Sequence, residues 1–245
     1  MIVDATRASP NVTPRAGGRA PDILILHYTG MRTAEAAIAR LCDPAAEVSA
    51  HYVVDEDGRI LKLVDERDRA HHAGVSFWKG ERDVNSASIG VEIVNPGHEF
   101  GYRPFPDVQV EAVIALCRDI LGRWPIPPER VLAHSDVAPT RKQDPGELFP
   151  WHRLAAAGVG RLVAEAPVEP GPSFGPGSEG PPVRAIQALF AHYGYGIELT
   201  GVYDTQTAAV VAAFQRHFRP ALVDGVADRS TLDTLRRLSA GLASG

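Results

Sequence analysis

Residues 165–182, EAPVEPGPSFGPGSEGPP, are crowded with Pro, Gly and Glu. Proline lacks an amide donor and glycine is costly to order, so a stretch crowded with both continues neither a helix nor a central strand. It has little apolar surface to bury, and its prolines keep it semi-extended rather than fully flexible. It therefore reads as a linker. The 245-residue chain is then divided into a domain over 1–164 and a smaller one over 183–245, both of a size that can fold alone.

The first domain alternates strand and helix patterns. DILILHYT is a short apolar run of the kind found in a buried strand, and RTAEAAIARLCD carries Ala, Ile and Leu at helical spacing. AHYVVDEDGRILKLVD reads as two strands joined at Asp57-Gly58, a strong hairpin signal. SASIGVEIVN is a further apolar strand. PDVQVEAVIALCRDILGRW is an amphipathic helix that begins near Pro106 and Asp107, and RVLAHSD is read as a strand followed by an irregular loop. This order predicts an α/β domain with a mixed central β-sheet flanked by helices.

The C-terminal piece predicts a three-helix module from PVRAIQALFAHYGY, DTQTAAVVAAFQRHF and DRSTLDTLRRLSAGL. Asp204 and Asp228 stand where N-caps belong. Its core is expected from Ile186, Leu189, Phe190, Val210, Phe214, Leu232 and Leu235.

Composition narrows the partners. A net charge of −5 without a long basic run argues against nucleic acid. No apolar stretch approaches the roughly 18 residues needed to cross a bilayer. The opening MIVDATRASPNVTPRAGG lacks a charged segment followed by an apolar core, so no signal peptide is read there. The expected compartment is the cytoplasm, with the periplasm as the alternative if the N-terminus is truncated. Cys42 and Cys117 both lie among apolar residues at helical spacing and read as small core residues.

Three apolar strands end in or carry polar groups: ILILHYT reaches His27, GVEIVNPG carries Glu92, and RVLAHSD reaches His134. The loop VLAHSDVAPTRKQDPG adds Lys142 and Asp144. Groups at the ends of such strands point into one crevice. Two imidazoles and a carboxylate there could hydrogen-bond, orient a base or bind a metal, and as a ligand set they suit Zn²⁺ with one position open. On that reading His27, His134 and Asp144 hold the ion. Glu92, costly to place on an apolar strand, is the base, and Lys142 stabilises a developing oxyanion. Ser135, between His134 and Asp136, suggests a Ser-His-Asp hydrolase, but neighbours on a strand point to opposite faces.

ILHYTG, VSAHYVVDEDGRI, RAHHAGVSFWKGERDVNSASIGVEIVN and HSDVAPTRKQDPG, in this order over about residues 20–155, resemble the motifs of zinc-dependent N-acetylmuramoyl-L-alanine amidases of the amidase-2 class. That class is related in fold to the peptidoglycan recognition proteins. The resemblance implies one zinc ion on His27, His134 and Asp144, with Glu92 and Lys142 as catalytic residues. Some relatives have Cys where this chain has Asp144, and some have a catalytic Tyr where it has Ala50, so the chain is most similar to the AmpD/AmiD-type branch. The C-terminal module, with GVYDTQTAAVVAAFQRHF and VDGVADRSTLDTL, resembles peptidoglycan-binding domain 1.

The implied reaction is hydrolysis of the amide between N-acetylmuramic acid, expected in its 1,6-anhydro form, and L-alanine in peptidoglycan fragments (anhydro-muropeptides), in cell-wall recycling. Tyr28, His72, Trp78, Arg82 and Asn95 lie in these motifs and are expected to contact substrate, with a packed loop anchored by an aromatic as the equal alternative for Trp78 and Arg82. His51 and His72 are read as shaping the pocket rather than holding metal, and His71 as a solvated neighbour. The rival readings are an exported enzyme that degrades intact sacculi and a recognition protein that binds muropeptide without cleaving it.

Overall fold

The computed structural model describes residues 2–241, which divide into two compact units. The first runs to Ser76 and takes in Asp83–His134 and Asp144–Arg161. The second takes in Phe77–Arg82, Ser135–Gln143 and the chain from Leu162 onward.

The first unit is built on a six-stranded sheet. Its order is β1 (Val3–Asp4), β5 (Ile60–Lys62), β4 (Tyr52–Val54), β7 (Ser88–Ile93), β3 (Ile23–Tyr28), β8 (Val131–Ala133). The pairs β4–β7, β7–β3 and β3–β8 are parallel, whereas β4–β5 is antiparallel, so the sheet is mixed. A separate antiparallel pair joins β2 (Val12–Pro14) to β6 (Asp68–Ala70). Central parallel strands are covered on both faces and need continuous apolar runs. Ile23, Leu24, Ile25 and Leu26 of β3 accordingly have no exposed surface, each contributing about 1.5–3 kcal/mol by burial.

The helices of this unit are α1 (Ala34–Leu41), the single turns α2 (Val84–Ala87) and α3 (Gly97–Phe100), α4 (Asp107–Arg123) and α6 (Trp151–Ala156); a further turn, α5 (His134–Val137), follows β8. Thr33 caps α1, its side chain accepting from the Ala36 N–H. The hairpin between β4 and β5 turns at Gly58, which has φ +83°. A Cβ there would also come within 3.1 Å of Val108 on α4, so glycine is needed for the turn and for the close approach of the helix. Gln109, fully buried on α4, donates to the Val54 and Val94 carbonyls at 3.1 and 2.9 Å and ties the helix to the sheet.

Glu66 anchors the far end of α4. It accepts from Arg123 Nη2 (2.7 Å), Trp124 Nε1 (2.7 Å) and the Tyr52 hydroxyl (2.9 Å). Burial opposes its charge, but these hydrogen bonds outweigh it and hold the carboxyl below the ordinary glutamate value of 4.5. Because the folded value is the lower one, the contribution is complete above about pH 4.5 and is lost as pH falls through the depressed value. Glu66→Gln is expected to cost roughly 2 kcal/mol at neutral pH and to flatten the acid limb of stability. Urea unfolding of both proteins between pH 6 and 3 checks this, and parallel acid limbs would refute it.

The second unit is organised by α7 (Pro181–Tyr193), α8 (Thr205–Phe218) and α9 (Arg229–Ala240). Asp204 and Asp228 cap α8 and α9, accepting from Thr207 N–H and Thr231 N–H at 2.8 and 2.7 Å. Leu189 and Leu232, expected in the core, are only half-buried. The buried stripes run through Val183, Ile186, Gln187, Phe190 and Tyr193 on α7 and through Thr231, Thr234, Leu235 and Leu238 on α9, and both leucines lie off them.

An internal repeat also emerges in this unit. Gln187 and Gln215, both fully buried, bond the turns before Asp204 and Asp228: Gln187 Oε1 accepts from Gly201 N–H and Gln215 Oε1 from Gly225 N–H, each at 2.8 Å. The proline-rich stretch is bonded to the same unit. Ala166 donates to Thr234 Oγ1 and accepts from Ser230 Oγ, and Phe174 bridges Ala227.

Candidate metal centre

Parallel register builds the site. His27, near the end of β3, is the direct partner of Glu92 on β7, and β8 ends one residue before His134. All three residues stand at or near the carboxyl ends of adjacent parallel strands, where α/β sheets form their crevice. Asp144 enters from the loop after α5. The strand read through His134 to Asp136 instead stops at Ala133, and His134 opens one helical turn. Asp136 is drawn to other partners, accepting from the Tyr195 hydroxyl and from His217 Nδ1, each at 2.7 Å. No Ser-His-Asp geometry forms around Ser135.

His27 Nδ1 lies 2.9 Å from His134 Nδ1 and 3.1 Å from Asp144 Oδ2, and His134 Nδ1 lies 2.9 Å from the same oxygen. All three side chains are buried, with 1%, 3% and 5% of their surface exposed. His134 Nε2 donates to the Ala73 carbonyl at 3.1 Å, so in the neutral ring its Nδ1 carries a lone pair toward this cluster. One proton among three such atoms can link only one pair. A divalent cation would satisfy all three, and a tetrahedral ion with bonds of about 2.0–2.2 Å needs donor separations of roughly 3.3–3.6 Å. The triangle would have to open by only a few tenths of an ångström. Burial raises the Asp144 carboxyl, but His134 and His27, when protonated, outweigh it and hold it well below the carboxylate range. Among the described residues, these three form the group of His, Cys and acidic side chains able to hold a metal. Cys117 is fully buried, its thiol pushed up to about 12 by burial, and the Cys42 thiol is raised by the same cause. Neither is a ready thiolate.

Glu92 is partly buried and stands beside His27 rather than within the triangle. Lys142 is half-buried in the segment Ser135–Gln143, two residues before Asp144, with its N–H donating to the Ala138 carbonyl.

Three residues expected to contact substrate are occupied elsewhere. Trp78 is fully buried in the second unit, packed edge-on against Tyr193 and Tyr195. Asn95 is buried, its amide donating to the Arg103 carbonyl and accepting from Gly97 N–H, so it shapes the loop after β7. His72 is buried with both ring nitrogens engaged, by His27 and by Ser88. Tyr28 and Arg82 do present surface: the Tyr28 hydroxyl meets His98 Nδ1 at 3.1 Å, and the Arg82 guanidinium lies over the Phe77 ring.

His51 is buried and neutral, pushed down to about 3 by burial and then by the Arg15 charge. Its Nδ1 accepts from Gly90 N–H at 2.9 Å, a structural role. His71 Nε2 lies 3.2 Å from Thr13 Oγ1. His98, which sequence reasoning passed over, stacks on Tyr102 and reaches Glu147 at 3.2 Å, forming with Tyr28 a partly exposed polar rim. No local pattern marks it, because Tyr28 comes from the end of β3 and Glu147 from the loop after α5.

The Amidase_2 model, N-acetylmuramoyl-L-alanine amidase, matches residues 17–147, and the peptidoglycan-binding model PG_binding_1 matches residues 179–235. The N-acetylmuramoyl-L-alanine amidase AmiD of Escherichia coli is 38% identical over 231 residues, spanning 85% of this chain and 79% of that protein. The 1,6-anhydro-N-acetylmuramyl-L-alanine amidase AmpD of Enterobacter cloacae is 31% identical over 173 residues, 63% of this chain and 90% of AmpD. Among solved structures, the complex of E. coli AmiD with anhydro-N-acetylmuramic acid-L-Ala-D-gamma-Glu-L-Lys superposes with a TM-score of 0.79 at 33% identity, covering 99% of this chain and 94% of that one. AmpDH3 of Pseudomonas aeruginosa in complex with anhydromuramic pentapeptide gives 0.76 at 31% identity, covering 92% and 93%. The chain is a member of the Amidase_2 family of N-acetylmuramoyl-L-alanine amidases, extended by a domain of the peptidoglycan-binding type.

Proposed function

We propose that this protein hydrolyses the amide between the lactyl group of N-acetylmuramic acid and L-alanine in 1,6-anhydro muropeptides, in cell-wall recycling, with one zinc ion held by His27, His134 and Asp144. The observation that carries the reading is the buried triangle of two imidazole nitrogens and a carboxylate oxygen, none more than 3.1 Å from the next, beside Glu92. The substrate class is supported by the names of the AmpD relatives and by the ligand solved with AmiD.

Zinc, when bound in such an open site, lowers the pKa of water to about 7 and polarises a carbonyl. Glu92 takes a proton from the attacking water and returns it to the alanine nitrogen as the C–N bond breaks. The water oxygen ends on the lactyl carboxyl group. Lys142 offers its ammonium to the oxyanion of the tetrahedral intermediate. Tyr28 and Arg82 contact the glycan or stem peptide.

A second reading, degradation of intact wall, is favoured by the match to a peptidoglycan-binding domain. One experiment separates them: native and chelator-stripped protein are each given anhydro-muramoyl tripeptide or sacculi, and peptide beginning with L-Ala is sought by mass spectrometry. Zinc-dependent release from the tripeptide alone is the expected result and fits the cytoplasm. Release from sacculi as well would turn the reading to wall degradation and the periplasm. Release unaffected by stripping would overturn the zinc assignment, and binding without release would indicate a recognition protein. Among the described residues, no helix is long and apolar enough to cross a membrane.

A further inference from the structure

A second buried imidazole decides which nitrogen of His27 faces the candidate metal position. Ser88 Oγ gives its single hydrogen to the Val84 carbonyl at 2.6 Å, so toward His72 Nε2, at 3.2 Å, it can only accept. His72 Nε2 therefore carries a hydrogen, and in the neutral ring its Nδ1 is an acceptor. That Nδ1 lies 3.0 Å from His27 Nε2, which must then be the donor. His27 Nδ1 keeps its lone pair and turns it toward His134 Nδ1 and Asp144 Oδ2.

The seat of His72 is specific. On β7 a Cβ at Gly90 would come within 2.4 Å of the His72 ring, so a residue with a side chain would evict it. Asn85 Oδ1 accepts from the backbone N–H of both His72 and Ala73, at 3.0 and 2.8 Å. The Ala73 carbonyl in turn takes the Nε2 hydrogen of His134. One dipeptide, pinned by one asparagine, thus orients both histidines of the triangle.

We propose that His72 is a positioning residue: the relay from Val84 through Ser88 and His72 selects the tautomer and orientation of His27 and thereby sets metal affinity. The inference rests on the zinc reading above. Partners that orient a ligating histidine are worth about 10–100-fold in metal affinity. The other role expected for His72, substrate contact, would change KM and leave zinc affinity alone.

The test measures zinc affinity by chelator competition in the full chain and in His72→Leu, His72→Asn and Ser88→Ala, each checked for folding by thermal melting. His72→Leu, with no acceptor, is expected to bind zinc about 10–100-fold more weakly. His72→Asn can place its Oδ1 near the lost Nδ1 and should recover most of that loss. Ser88→Ala, which frees the His72 ring to turn, should fall between them and carries the test if His72→Leu does not fold. Two-bond proton–nitrogen spectra of the metal-free protein should show His27 protonated at Nε2. Zinc affinity unchanged within twofold in all three variants, or His27 protonated at Nδ1, would overturn the relay while leaving the amidase reading intact. A wild-type chain that binds no zinc would overturn both.

Discussion

Glu92→Ala is expected to lose about 10²–10⁴-fold in kcat while retaining one zinc per chain. The geometry separates the two properties. Glu92 is the register partner of His27 across β7 and β3, so it stands beside the ligand triangle without belonging to it. On the proposed roles, its removal takes away the proton carrier and none of the three converging donors. Because a base acts in the transition state, kcat and kcat/KM should fall together, with KM little altered. Glu92→Gln keeps the shape and should lose nearly as much, which distinguishes proton transfer from packing. The measurements are steady-state kinetics on anhydro-muramoyl tripeptide and elemental analysis of the purified variants. Zinc lost from both variants would place Glu92 among the ligands and remove its role as base.

Asp144→Asn should fail in the opposite way. Asp144 is the anionic donor of the triangle, and its Oδ2 contacts both Nδ1 atoms. An amide of the same shape removes the charge that a buried divalent ion most needs beside two neutral imidazoles. Zinc affinity should fall by more than ~10²-fold, beyond the effect expected of a supporting partner. Activity should fall with it and return in part when zinc is added in excess. Added zinc should not rescue Glu92→Ala, so the two variants together separate holding the ion from moving the proton. Full activity of Asp144→Asn at trace zinc would refute the assignment of Asp144 as a ligand.

Much of the local structure is legible because it depends on short-range physics. The run ILILHY forms β3, Asp57-Gly58 turns the β4–β5 hairpin, and Asp204 and Asp228 cap their helices, since periodicity, turn chemistry and capping act within a few residues. The end of β8 was less legible. HSD continues an apolar strand in sequence, yet Asp136 is bound by Tyr195 and His217, which lie 59 and 81 residues away. Trp78 shows the same limit: its motif leaves a groove and a packed loop both open, and Tyr193 and Tyr195 bury it. Leu189 and Leu232 carry apolar side chains, and only the rotation of α7 and α9 against their neighbours leaves them half-buried.

By itself the sequence determined the strands and helices of an α/β domain, a helical module beyond a proline-rich stretch, and the residue types from which a metal site could be drawn. The tertiary structure alone decided that His27 stands opposite Glu92, that His72 is buried within hydrogen-bond reach of His27 and Ser88, and that Trp78 is core. The physical reason is that hydrophobic periodicity and turn chemistry are local, whereas a hydrogen-bond partner or a buried face is set by which strands pair in which register.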